Sequence, residues 1–155
     1  MKRKILLIGG GGHCRVILDL LFSIKNYEIA GIVDLKAQLG NKVCGVPVIG
    51  TDDNLAKIFK SGIKDCFISV GSIGIPRLRI KLCKLAKKIG FRFPNLISPL
   101  AVISPSVILG QGNYVASGTI INSGVKIGDN CIINTAAIIE HDCEIGDFVH
   151  LSPGS

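Results

Sequence analysis

From Ala101 to Gly154 one six-residue pattern recurs nine times: AVISPS, VILGQG, NYVASG, TIINSG, VKIGDN, CIINTA, AIIEHD, CEIGDF, VHLSPG. The third place is always aliphatic (Ile103, Leu109, Val115, Ile121, Ile127, Ile133, Ile139, Ile145, Leu151). The fourth is small or turn-forming in every hexad but one, which carries Glu140. The first is small or β-branched, with Asn113 the one amide.

A short fixed period marks a solenoid, whose units bury their apolar side only against their neighbours. Six residues are too few for a helix with a face of its own. They suffice for a short strand and a corner, where Gly or Asn accepts a positive φ. Three such strands close one triangular coil, and coils stack at roughly 4.8 Å. Nine hexads predict three coils of parallel β-helix. A sandwich of short strands, the competing reading, has turns of varied length and would break this register.

The 155-residue chain suits one ordinary domain or two small ones. Hydrophobic residues make up 48% and aromatics 5%, which fits Ile/Val-stacked parallel structure and offers no base-stacking platform for nucleic acid. The net charge of +7 therefore points to a small anionic ligand such as a nucleotide-sugar or coenzyme A. The six cysteines form no C-x-x-C pair and no zinc-spaced cluster, so no metal site is expected. Unpaired cysteines of this kind fit a reducing, cytoplasmic setting. The apolar stretch after MKRK ends at glycines, too short for a signal peptide or a spanning helix.

The first part of the chain alternates strand and helix. Lys4 to Ile8 is a continuous apolar run ending in Gly9–Gly12 and His13. A helix carrying Val16, Ile17, Leu20, Leu21 and Ile24 follows, then a strand from Glu28 to Val33 that stops at Asp34. Val43 to Ile49, interrupted by Gly45 and Pro47, reads as an irregular edge. Thr51, Asp52 and Asp53 offer caps for a helix with Leu55, Ile58 and Phe59. Cys66 to Val70 is a third strand. The next helix should bury Leu78, Leu82, Leu85, Ala86 and Ile89 and expose Arg77, Arg79, Lys81, Lys84, Lys87 and Lys88. This alternation predicts a small Rossmann-like parallel α/β sheet of about four strands over residues 1–95. Gly90 to Pro99 reads as the connection, and the β-helix occupies 96–155.

Two places carry chemistry. The glycine loop between strand and helix lets backbone approach a pyrophosphate, and the helix N-terminus offers free N–H groups. Asp34, 22 residues beyond Gly12, stands where an acid can hold a ribose or base. The G-x-G-x-x-G fingerprint is not met, because Cys14 or Arg15 falls at its last place, and this argues against NAD. Gly71, Ser72 and Arg77 end the third strand near the same ligand, although Arg77 equally fits a solvated basic face. In the β-helix, His141 offers an imidazole of pKa near 6.5, suited to proton abstraction, and the adjacent Asp142 would orient it if the chain turns a corner there.

The pairing of G-G-G-H-x-R-V-x-x-D at Gly10–Asp19 with N-T-A-A-I-I-E-H-D-C-E-I-G-D-F-V-H resembles the bacterial sugar acetyltransferases with hexapeptide repeats. Their types are the sialic-acid O-acetyltransferases and the nucleotide-linked 4-amino-sugar N-acetyltransferases. The resemblance implies a left-handed β-helix and acetyl transfer from acetyl-CoA to a sugar amine or hydroxyl in surface-glycan synthesis. It implies His141 as general base, Asp142 as its orienter, and Asn134 and His150 near the acetyl group. Gly11, Gly12, His13 and Asp34 would hold the nucleotide-sugar. It further implies a homotrimer with sites between subunits and no membrane insertion. Further coils are expected beyond Ser155, so the alternative reading is a truncated, catalytically impaired nucleotide-sugar-binding protein.

Overall fold

The computed structural model describes residues 2–72 and 74–155. The chain divides into two compact units, Met1–Phe93 and Pro94–Ser155.

In the first unit, β1 (Arg3–Ile8), β2 (Tyr27–Val33), β4 (Val46–Gly50) and β5 (Asp65–Ile68) are parallel, and β3 (Lys42–Val43) joins antiparallel. The order is β3-β4-β2-β1-β5. Interior β1, between β2 and β5, has Ile5 to Ile8 essentially sealed from solvent, as a strand covered on both faces must be. The expected irregular edge at Val43–Ile49 is a regular hairpin. Cys44 and Gly45, at φ +48° and +83°, form its two-residue turn, the conformation that matches strand twist. The start of β5 is fixed electrostatically, because the buried Asp65 carboxylate pairs with Arg3 and Arg92, each at 2.7 Å.

Helix α1 (Gly12–Ile24) follows β1, α2 (Leu55–Lys60) follows β4, and α3 (Arg77–Ile89) follows β5. The Thr51 amide donates to Asn54 Oδ1 at 2.8 Å ahead of α2. Two assignments on α3 are reversed. Arg79, expected outside, is 2% exposed and donates Nη1 to Ser72 Oγ at 3.4 Å; Leu78, expected inside, is 53% exposed. An apolar periodicity does not say that a long cation will satisfy the loop beneath its own helix.

The second unit is a left-handed parallel β-helix of ten two-residue strands, β6 (Leu96–Ile97) to β15 (His150–Leu151). Strands pair 18 residues apart, as Val102, Ile120 and Ile138 do on one face. A second face stacks Ile108, Lys126 and Glu144, and a third stacks Leu96, Tyr114, Ile132 and His150. The tenth strand comes from Asn95–Leu100, NLISPL, a hexad hidden in what reads as a connection because Pro94 precedes it and Pro99 lies within it. All nine expected third-place aliphatics belong to or pack on one apolar cluster, the shaft of the prism.

The corners differ from the simple reading. Positive φ falls at the sixth place, in Gly112, Gly118, Gly124, Asn130, Ala136, Asp142, Phe148 and Gly154. The fourth-place Gly110 and Gly128 serve close stacking instead: a Cβ on Gly110 would strike Asp129 Oδ1 and the Gly128 carbonyl of the next coil. Asn113, buried at an inward first place, has every polar group satisfied. Its Nδ2 donates to the Gly128 carbonyl at 2.9 Å, its Oδ1 accepts the Cys131 amide at 2.7 Å, and its own amide donates to Asn95 Oδ1 at 2.9 Å.

Candidate functional site

At the carboxyl ends of β1, β2 and β5 lies a cavity of ≈ 600 Å³ floored by Gly9 to His13. Ligands favour this position in open parallel sheets. Gly9, at φ +107°, turns the chain off β1, and its amide donates to the Val33 carbonyl at 2.8 Å. Ser69, just past β5, donates its Oγ hydroxyl to the Gly9 carbonyl at 2.6 Å. Helix α1 then starts at Gly12 with no side-chain cap and no acid in its first turn. Its first amides and the positive end of its dipole face an open volume, which is the arrangement that binds phosphates. Gly11 and Gly12 have open space where a Cβ would stand.

Asp34 lies on the cavity wall, but its oxygens are already engaged. Oδ2 accepts the Gly10 amide at 2.8 Å and Oδ1 the Leu35 amide at 2.7 Å. A carboxylate has acceptor capacity for a ligand beyond these two. Gly71 also lines the cavity, whereas Ser72 takes Arg79 and is not on the wall, and neither is Arg77. Gln38 and Asp52, polar groups that belong to no motif legible in the sequence, also line the cavity. Cys14, just beneath the loop, is an inert core thiol: burial pushes it up to about 11.

The second cluster lies at the β-helix corner after β13 (Ile138–Ile139). His141 Nδ1 and Asp142 Oδ2 are 2.9 Å apart. Neighbours on a strand point to opposite faces, and the contact exists because Asp142 sits at φ +60°, with its amide tied to the Ser123 carbonyl at 3.0 Å. That hydrogen bond, then the Asp142 charge and that of Glu140, raise the His141 pKa above its ordinary value. Asp142 takes Nδ1, which leaves Nε2 directed to solvent as the basic nitrogen. One coil earlier, Asn122 Nδ2 donates to Glu140 Oε2 at 2.9 Å and fixes the approach to the corner. The 18-residue spacing of these residues was the available signal for that pair.

Asn134 and His150 meet elsewhere: Asn134 Nδ2 lies 3.2 Å from His150 Nε2 on the third face. They stand across the sheet of Val102, Ile120 and Ile138 from His141. That sheet's outward side chains are 65%, 37% and 52% exposed. Within one chain the two groups are not brought together. Among the described residues there is no group of three or more His, Cys, Asp or Glu placed to hold a metal ion, and no helix is long and apolar enough to cross a membrane.

Residues 4–85 match the family model described as PglD N-terminal domain, and residues 124–155 match that of bacterial transferase hexapeptide repeats. A perosamine N-acetyltransferase from Caulobacter crescentus is 41% identical. Its structure, in complex with CoA and GDP-perosamine and with a histidine replaced by asparagine, matches with a TM-score of 0.88 over 97% of this chain and 69% of that one. The acetyltransferase domain of PglB from Neisseria gonorrhoeae, in complex with acetyl coenzyme A, is 38% identical, with a TM-score of 0.85 over 99% of this chain and 72% of that one. An uncharacterized protein of Acanthamoeba polyphaga mimivirus is 34% identical over 83% of this chain. The chain spans 24% of that viral protein's length.

Proposed function

Because this chain belongs to the bacterial sugar acetyltransferases with hexapeptide repeats, those carrying a PglD N-terminal domain, we propose that it moves an acetyl group from acetyl-CoA to the amine of a nucleotide-linked sugar. The observation that carries the reading is the His141–Asp142 pair at 2.9 Å, held on the same chain as an uncapped helix N-terminus opening on a cavity. The first can take a proton, and the second can hold a pyrophosphate.

In this reading Gly11, Gly12 and His13 bind the pyrophosphate, and Asp34 and Gly71 shape the nucleoside end. His141 Nε2 removes the proton as the sugar nitrogen attacks the thioester carbon. A C–N bond forms, the C–S bond breaks, and the imidazolium returns its proton to the leaving sulfur. Asp142 fixes the ring with Nε2 free and stabilises the imidazolium. General-base catalysis of this kind is worth roughly 10²–10⁴-fold. The nitrogen acceptor, rather than a hydroxyl, is favoured by the relative that acts as a perosamine N-acetyltransferase.

A homotrimer is part of the proposal. Val102, Ile120 and Ile138 leave an exposed apolar column between the His141 corner and the Asn134–His150 pair. Packing a second copy there would remove the column from water and set one copy's Asn134 and His150 beside the other's His141, lining the path of acetyl-CoA. A cytoplasmic location and a role in surface polysaccharide synthesis complete the reading, supported by the unpaired thiols and by the nature of the acceptor. The test is acetyl transfer from acetyl-CoA to GDP- and UDP-linked 4-amino sugars. His141→Ala should lose turnover while still binding the sugar nucleotide. Near-normal turnover in that variant would sink the assignment.

A further inference from the structure

The cations of α3 fall on a single stripe. Arg77, Lys81, Lys84 and Lys88 follow one another at helical spacing, and all four are exposed. At 1.5 Å per residue the stripe is about 16 Å long. It lies opposite the helix's buried side of Arg79, Leu82, Cys83 and Ala86. Neighbouring α2 adds exposed Lys57 and Lys60. Between Asn54 and Phe93 the sequence has ten Lys or Arg and one acid, Asp65, which is buried and paired with Arg3 and Arg92.

An ordinary solvated helix face interleaves signs, because like charges three or four residues apart destabilise the helix. Here no acid is interleaved. Arg77 also opens the helix, at the end of the dipole where acids are favoured, and the first turn contains none. The mutual repulsion and the place of Arg77 work against the helix, offset only in the last turn where Lys87 and Lys88 meet the negative end of the dipole, and a polyanion lying along the stripe would relieve both.

We propose that this stripe docks the protein onto the surface of a lipid bilayer bearing anionic headgroups. The cations lie along one side of α3, opposite its buried side, which suits a flat partner. α3 has no aromatic residue on which a base would stack. The cavity takes Leu78 and Leu82 from a different flank of α3, so the stripe is not its lining. Ile75, two residues before the helix and 72% exposed, adds an apolar side chain at its start. The association is peripheral and electrostatic, and it does not rest on the acetyl-transfer reading.

Sedimentation of the full chain with vesicles tests it. Binding is expected to phosphatidylcholine vesicles that include phosphatidylglycerol, and not to phosphatidylcholine alone. It should vanish near 1 M salt, where the screening length is about 3 Å. Each lysine near an anionic surface contributes about fivefold in affinity. The triple variant Lys81→Gln, Lys84→Gln, Lys88→Gln should therefore bind about a hundredfold more weakly, with GDP binding to the cavity unchanged. A control of equal charge loss, Lys2→Gln, Lys36→Gln, Lys42→Gln, should keep vesicle binding. Equal loss in both triples, binding to neutral vesicles, or a preference for single-stranded RNA over anionic vesicles would each overturn the proposal.

Discussion

The amide of Gly10 donates to Oδ2 of Asp34 at 2.8 Å, and this bond ties the glycine loop after β1 to the end of β2. The contact is close enough that a Cβ on Gly10 would lie 2.6 Å from the same oxygen. Asp34 therefore shapes the loop from the side as well as facing the cavity.

Removing that carboxylate should loosen the loop without unfolding the sheet. Asp34→Ala leaves the half-buried Gly10 amide without its acceptor, at about 1–3 kcal/mol at most, while the exposed Leu35 amide turns to water. Calorimetry with the sugar nucleotide should show affinity weakened between about fivefold and a hundredfold. Gly10→Ala should behave similarly for a steric reason. An unchanged affinity in both variants would mean that the loop holds its form alone.

The activity should depend on pH with an acid limb set by His141. Its hydrogen bond to Asp142, followed by the charge of that carboxylate, raises the imidazole pKa. A general base works deprotonated, so kcat/KM should climb as pH passes through a value above the usual 6.5 or so. Asp142→Asn removes the raising charge, so the limb should move to lower pH while the rate falls. A limb that stays in place in this variant assigns it to another group.

Adjacent isoleucines on β10 (Ile120–Ile121) should have opposite consequences. Ile121 is 1% exposed inside the shaft, and Ile121→Ala should cost about 2–5 kcal/mol of stability by chemical denaturation. Ile120, at 37% exposed, faces outward. Ile120→Asp together with Ile138→Asp should leave the fold intact and lower the mass seen by analytical ultracentrifugation from trimer to monomer. A trimer that survives both charges places its interface on another face.

The corners make a third pair of expectations. Ala136 carries φ +57°, a conformation that costs an L-residue about 1–2 kcal/mol, so Ala136→Gly should stabilise by about 1 kcal/mol. Gly124→Ala should destabilise by more than the backbone term alone, because its Cβ would meet Asp142 Oδ1. The same substitution should lower activity by displacing the orienting acid.

The inward column from Ile103 to Leu151 could be read from the letters, because a period of six leaves an aliphatic residue only one inward direction. The hexad NLISPL could not be read as readily: proline at 94 and 99 outweighed a pattern shared with AVISPS. The place of positive φ was also hidden. Asn130, Ala136, Asp142 and Phe148 hold it without glycine, enforced by bonds to the coil below, such as Ala136 to the Ser117 carbonyl at 3.1 Å. On α3, charge alone sends Arg79 to water, but Ser72 gives it a partner underneath. At the candidate sites, sequence named His141 and Asp142, while their contact depended on a backbone angle that no residue type dictates.

The 18-residue stacking has a consequence for how this half of the molecule can change in length. A residue deleted inside a strand would exchange inward and outward side chains in every later rung, exposing the aliphatic column and burying Lys126 and Glu144. Extra residues looped out between the fourth and sixth places would leave the alternation untouched. Changes of length are therefore tolerated at three edges, one of which carries His141, so the segments free to lengthen are the same ones that can reshape the surroundings of that imidazole.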